Sequence, residues 1–122
     1  MKSFKAIILA AGKGLRMNSE MPKVMHPICN KPMLQFVLDC VNSVKIKDII
    51  AVLGFKADLV KPILDKDVKI VIQKKLLGTA DAVRLATSKL KGFKGNCLVL
   101  NGDTPLVEAE TLKNLMRIHL QS

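Results

Sequence analysis

Two hydrophobic periods alternate along the chain. Ala6-Ile7-Ile8-Leu9 is a continuous apolar run that breaks into small residues and glycines, the pattern of a strand buried on both faces. Pro32 then stands at an expected first helical position, and Met33, Leu34, Val37, Leu38, Val41 and Val44 recur at helical spacing. Asp48 to Leu53 is a short β-branched run stopped by Gly54, a second strand. A weaker helical pattern, Leu59, Val60, Ile63 and Leu64, precedes a third strand at Val68 to Ile72. Thr79 is placed to cap a helix carrying Ala82, Val83, Ala86 and Leu90 and closing at Gly92. Cys97 to Leu100 forms a fourth strand, and from about Glu110 a last helix sets Leu112, Leu115, Met116 and His119 on one face.

Strand and helix therefore alternate without repeats or linkers, which predicts an α/β fold: a Rossmann-like parallel sheet with helices on both faces and right-handed crossovers. Such sheets bind ligands beyond the carboxyl ends of their strands, where the strand order reverses. Strand one delivers Gly12 there, strand three delivers Gln73 and then Leu77-Gly78-Thr79, and strand four delivers Asp103.

The loop after strand one carries the most chemistry. Gly12 and Gly14 lack the Cβ atoms that would hold a phosphate away from backbone amides, while Lys13, Arg16 and Lys23 supply positive charge. Arg16 can grip two oxygens at once. The spacing is neither that of a P-loop nor that of a dinucleotide-binding turn, which needs a third glycine where Met17 stands. A basic turn after a strand stays open as the alternative. Asp103 has two readings as well. It is a turn residue in Gly-Asp-Thr-Pro, or the ligand of a metal that sits between it and the phosphates, the preferred reading because an uncompensated carboxylate repels polyphosphate.

Composition narrows the partners. The chain has 122 residues, one domain's worth, and its net charge of +10 suits a polyanionic ligand. Nucleic acid is disfavoured: with no Trp, no Tyr and four Phe, the chain lacks the stacking platforms of a single-strand binder. No apolar run reaches the length of a membrane span, and the one near the start ends in Gly-Lys-Gly where a secretion signal would carry a cleavage site. Three cysteines without C-x-x-C spacing argue for reduced thiols and a cytoplasmic protein, with Cys40 and Cys97 in the core and Cys29 in a loop.

The blocks LAAGKGLRM, MPKVMHPICNKPML, QKKLLGTADAV and VLNGDTPL, in that order, resemble the uridylyltransferase domain of bacterial N-acetylglucosamine-1-phosphate uridyltransferases. The resemblance runs from about residue 5 to the end. It implies a nucleotide-diphospho-sugar transferase sheet of order 3-2-1-4 and a Mg²⁺-dependent reaction. In that reaction N-acetylglucosamine 1-phosphate attacks the α-phosphorus of UTP, giving UDP-N-acetylglucosamine and pyrophosphate for peptidoglycan and lipopolysaccharide. Carried over by position, Leu9, Ala10, Ala11, Gly12, Lys13, Gly14, Gln73, Gly78, Thr79, Asn101, Gly102 and Asp103 would bind nucleotide, Gln73 by pairing with uracil. Arg16 and Lys23 would hold the phosphates as catalytic residues, and Asp103 would ligate Mg²⁺. Such chemistry needs positioning and charge stabilisation more than a general base. His26 is accordingly expected to make structural hydrogen bonds.

Departures from the pattern are Leu15 for a usual Thr, Asp81 for a frequent His, and Asn101 for a frequent Tyr. The family's catalytic domain also continues about as far again, with an amino-sugar pocket, and many members add an acetyltransferase β-helix. The expectation is thus a truncated fold, residues 1–122 being the nucleotide-binding half. Two functional classes follow, a catalytic nucleotidyltransferase or a nucleotide-binding module without turnover, with cytidylyl or other sugar-phosphate transfer as an alternative chemistry. Truncation would expose strand four and the Leu112, Leu115 and Met116 face of the last helix, predicting a homodimer through that region.

Overall fold

The computed structural model describes residues 4–12, 21–75, 78–90, 92–104 and 108–121. Its elements in chain order are β1 (Phe4–Ala10), β2 (Pro27–Ile28), β3 (Lys31–Pro32), α1 (Met33–Ser43), β4 (Asp48–Leu53), α2 (Ala57–Val60), β5 (Lys69–Ile72), α3 (Thr79–Thr87), β6 (Asn96–Asn101) and α4 (Ala109–Gln121). Four strands pair in parallel in the order β5-β4-β1-β6. The chain builds outward from β1 through β4 to β5, then returns to the far side of β1 for β6. The order of connection therefore reverses between β1 and β6, which is where the carboxyl ends of the strands open into a crevice.

The period-two pattern of β1 divides the core. Ala6, Ile8 and Ala10 face one side with Ile49, Ala51 and Leu53 of β4, under Leu34, Val37 and Val41 of α1 and Leu112 and Met116 of α4. Ile7 faces the other side with Ile50, Val52 and Val71, under Ala82 and Ala86 of α3. Helices thus cover both faces, and the small side chains of α3 let it lie close over β1 and β4. Among the described residues no helix is long and apolar enough to cross a membrane.

Local structure departs from the sequence reading at several points. Pro32 is not the first helical residue; it precedes α1 in an extended conformation (ψ 143°) and closes a small hairpin, β2–β3, that hydrophobic periodicity does not reveal. The hairpin turns through Cys29 and Asn30, both at positive φ (52° and 66°), as a two-residue turn compatible with strand twist requires. Thr79 is the first residue of α3 and not its cap. Gly78 occupies the cap position at φ 98°, which a side chain would resist, and no side chain caps the helix.

Cys40 is buried as expected, and burial pushes its thiol above the ordinary range. Cys97 is not core but exposed, on a strand at the edge of the sheet. In α4, Leu112 and Met116 are fully buried, whereas Leu115 and His119 of the expected face are exposed, as are Ile118 and Leu120. His119 instead bonds Asn96 Oδ1 at 2.9 Å and meets the Phe4 ring edge-on, pinning α4 to the start of β6 and β1.

Candidate functional site

A cleft of about 300 Å³ opens at the carboxyl end of the sheet. Leu9, Ala11 and Gly12 reach it from β1, Gln73 from the end of β5, Asn101 and Asp103 from β6, and Gly78 and Thr79 from the start of α3. Lys23 enters from a 3₁₀ turn at 23–25. Residues far apart in sequence converge because every strand of a parallel sheet ends on the same side. Of the remaining predicted residues, Ala10 packs in the core beneath the cleft and Gly102 is buried behind it. Lys13, Gly14 and Arg16 lie outside the described residues. Val24 and Ala82 also line the wall, a role periodicity could not separate from ordinary core packing.

The glycines serve two different ends. A Cβ built on Gly12 meets nothing of the described residues within 4 Å, so among them its main chain borders open cleft that a ligand can approach closely. At Gly102 a Cβ would come to 3.1 Å from Val24, 3.2 Å from Leu34 and 3.2 Å from the Leu9 carbonyl. The missing side chain there lets Gly102 N–H donate to Leu9 O at 2.8 Å, locking the end of β6 to β1 and aiming the next residue, Asp103, into the cleft.

Lys23 is presented by a short turn whose flanks, Pro22 and Val24, are buried; Met25 N–H donates to Pro22 O and His26 N–H to Lys23 O. Its ammonium pairs with the Asp103 carboxylate at 2.9 Å, both side chains keeping substantial exposure. His26 differs from expectation: its main chain bonds Lys23 and Met33, but the ring Nε2 is buried with no partner among the described residues.

Asp103 fits a divalent cation of the kind that binds polyphosphate. Mg²⁺ usually takes one or two protein carboxylates and fills its octahedron with phosphate oxygens and water. Asp103 offers that carboxylate at the cleft, and among the described residues no group of three metal-ligating side chains forms a protein-only cage.

At the opposite wall Gln73 is almost completely buried, 4% exposed. Its backbone N–H continues the sheet ladder to Leu53 O at 2.8 Å, and its Nε2 donates to Gly78 O at 3.2 Å and to Asp81 Oδ2 at 3.0 Å. Asp81 also accepts from Arg84 Nη2 at 2.7 Å, and the bonds from Gln73 and then Arg84 hold its carboxyl below the usual range. Apolar Leu9 and Ala82 beside one buried amide make a slot suited to a planar base, while Gly12, Lys23 and Asp103 make an ionic end suited to phosphates.

The family model for the MobA-like NTP transferase domain matches residues 6–122. The bifunctional protein GlmU of Thermoanaerobacter pseudethanolicus is 45% identical over 121 residues, 99% of this chain but 26% of that protein, so the chain spans about a quarter of the length of the curated relatives it matches. Among solved structures, a manganese complex of Rv0371c from Mycobacterium tuberculosis H37Rv superposes with a TM-score of 0.78 at 21% identity, covering 96% of this chain and 59% of that one. A nucleotidyl transferase from Methanothermobacter thermautotroptrophicus gives 0.78 at 22%, covering 94% and 57%. These two likenesses concern the fold. The family match along nearly the whole chain, together with the GlmU identity, makes this protein a member of the MobA-like NTP transferase domain family, the nucleotidyltransferases.

Proposed function

We propose that the chain is the nucleotide-binding half of a uridylyltransferase that joins UTP to N-acetylglucosamine 1-phosphate, releasing pyrophosphate and supplying UDP-N-acetylglucosamine for cell-wall synthesis. The observation that carries this reading is the convergence of Gly12, Lys23, Gln73 and Asp103 on one cleft, with a base-sized slot at one end and ion-pairing groups at the other. The resemblance of its sequence blocks to N-acetylglucosamine-1-phosphate uridyltransferases favours uridylyl over cytidylyl transfer.

In this scheme the Leu9 to Gly12 main chain, Gly78 and Thr79 position the nucleotide, and Lys23 neutralises phosphate charge as it grows in the transition state. Arg16, from the neighbouring basic segment, joins it. Mg²⁺, held by Asp103 and phosphate oxygens, would supply Lewis-acid neutralisation of the leaving pyrophosphate. Asp103 pairs with Lys23 when neither ligand is bound; with nucleotide and Mg²⁺ bound, Lys23 would pair with phosphate and Asp103 would hold the cation.

Titration calorimetry of the chain with UTP, with and without Mg²⁺, tests the reading, alongside pyrophosphate release in the presence of N-acetylglucosamine 1-phosphate. UTP binding enhanced by Mg²⁺ is expected, and Asp103→Asn should reduce that enhancement about tenfold, as loss of one charge-assisted ligand does. Unchanged Mg²⁺ dependence in Asp103→Asn would make Asp103 a turn residue. Pyrophosphate release separates a catalytic chain from a binding module.

The proposal extends to assembly. One edge of β6 is free of sheet partners among the described residues, and Val99 of β6 and Leu115 and Ile118 of α4 are all exposed. Identical edges can pair across a two-fold axis, so we expect a homodimer through β6 and α4. Light scattering after size exclusion should give twice the chain mass for wild type and the chain mass for Val99→Lys. A wild-type chain that stays monomeric at high concentration refutes it.

A further inference from the structure

The Gln73 amide has neighbours of a single polarity. Asp81, ionised at neutral pH, can only accept hydrogen bonds, and so can the Gly78 carbonyl. Both lie within reach of the same end of the side chain, at 3.0 and 3.2 Å, so that end must be the NH₂ group; the flipped amide would set its oxygen against two other oxygens. Both amide hydrogens are consumed, and Oε1 accepts no hydrogen bond from the described residues. Since Gln73 lines the cleft, the pole left for a ligand is an acceptor.

Asp81 is itself fixed. It stands in the first turn of α3, where the helix dipole favours a carboxylate, and its other oxygen is gripped by Arg84 at 2.7 Å. The carboxylate is 15% exposed, against 70% for Arg84, so the acceptor sits inside and the cation outside. A chain of Arg84, Asp81 and Gln73 thus runs from solvent to the base slot with every donor direction determined.

We propose that Asp81 is a positioning residue that sets the specificity of the site: by holding Gln73 with its oxygen toward the cleft, it selects pyrimidines that carry a ring N3–H, uracil or thymine, and rejects cytosine. This rests on the nucleotide-site reading above and deepens it. Uracil and thymine present an N–H at the centre of their pairing edge, whereas cytosine presents a lone pair there, which Oε1 would repel. Cytosine would have to slide within the cleft to offer its exocyclic amine to Oε1. Asn at position 81 can donate as well as accept. It would let Gln73 turn over and present Nε2, which suits cytosine.

The test is calorimetric binding of UTP, dTTP, CTP and N3-methyl-UTP, with Mg²⁺, to the wild-type chain and to Asp81→Asn, with thermal melts to verify folding. Wild type should bind UTP and dTTP at least about tenfold more tightly than CTP or N3-methyl-UTP, the cost of an unmade or opposed buried hydrogen bond. In Asp81→Asn the UTP/CTP ratio should fall to within about threefold, a change that a merely structural role for Asp81 would not produce. N3-methyl-UTP binding wild type as tightly as UTP overturns the proposal without recourse to any variant, as does an Asp81→Asn protein that keeps the wild-type ratio. If wild type binds all four nucleotides equally, the specificity inference fails while the nucleotide site stands. If it binds none, both fail.

Discussion

Replacing Lys23 with alanine is expected to weaken UTP binding roughly 10- to 100-fold while leaving uridine binding unchanged, the range spanned by one charge-assisted phosphate contact. The turn that carries Lys23 is anchored by buried Pro22 and Val24, so the side chain is delivered to the cleft by a rigid base and the substitution removes charge without loosening the loop. Its pairing with Asp103 does not compete seriously with a triphosphate. Both partners are partly exposed, and such pairs contribute about 1 kcal/mol or less. Removing Lys23 also leaves Asp103 as an uncompensated negative charge facing the phosphates. The loss should therefore be larger without Mg²⁺ than with it, because the cation takes over the neutralisation. Titration calorimetry with UTP and uridine, each with and without Mg²⁺, reads all four quantities, and equal losses for nucleotide and nucleoside would remove Lys23 from the phosphate site.

That Lys23, Gln73, Gly78 and Asp103 share a cleft was legible in the sequence because the rule for parallel sheets is geometric: whatever follows each strand lies on the same side. The strands and longer helices were legible for a similar reason, since Ala6 to Leu9 and the Met33 to Val44 pattern have distinct periods. What stayed hidden depends on neighbours. Cys97 sits in an apolar run as good as that of β1, but whether a strand is central or at an edge is decided by pairing and not by its own residues. Leu115 and Met116 are adjacent in sequence and similar in hydropathy, and only the direction of α4 relative to the sheet buries one and exposes the other. The Cys29-Asn30 turn escaped notice because it lacks the Asn-Gly or Asp-Gly pair that usually marks two residues at positive φ. Asp81 was visible as a departure from the family pattern, and its meaning required the hydrogen bonds to Gln73 and Arg84. The segment bearing Lys13, Gly14 and Arg16 lies outside the described residues, so those three remain proposals.

Gly54 was read from the sequence as a residue that ends a strand, and the structure gives it a second task whose removal should have a large effect. A Cβ there would stand 3.0 Å from the Ala11 side chain, 3.0 Å from the Ala11 carbonyl oxygen and 3.1 Å from the Gln73 carbonyl oxygen. Two of these three neighbours are main-chain atoms that cannot swing aside. Ala11 O accepts from Phe55 N–H at 3.2 Å, and Gln73 is tied to Leu53 through the sheet ladder. Gly54→Ala should therefore cost about 1–3 kcal/mol, the usual penalty for overpacking a site that cannot relax, and lower the melting temperature by roughly 5–10 °C. Because the displaced atoms belong to the ends of β1 and β5, the same variant should also bind UTP less tightly. Gly12→Ala is the matched control. Its added methyl meets no atom of the described residues within 4 Å, so its melting temperature should stay at the wild-type value while nucleotide affinity falls, the methyl occupying space that a phosphate needs. Thermal melts of both variants with and without UTP distinguish the two glycines. A Gly54→Ala protein melting within about 1 °C of wild type would show that the main chain at Ala11 and Gln73 yields at little cost, contrary to the rigidity argued from their hydrogen bonds.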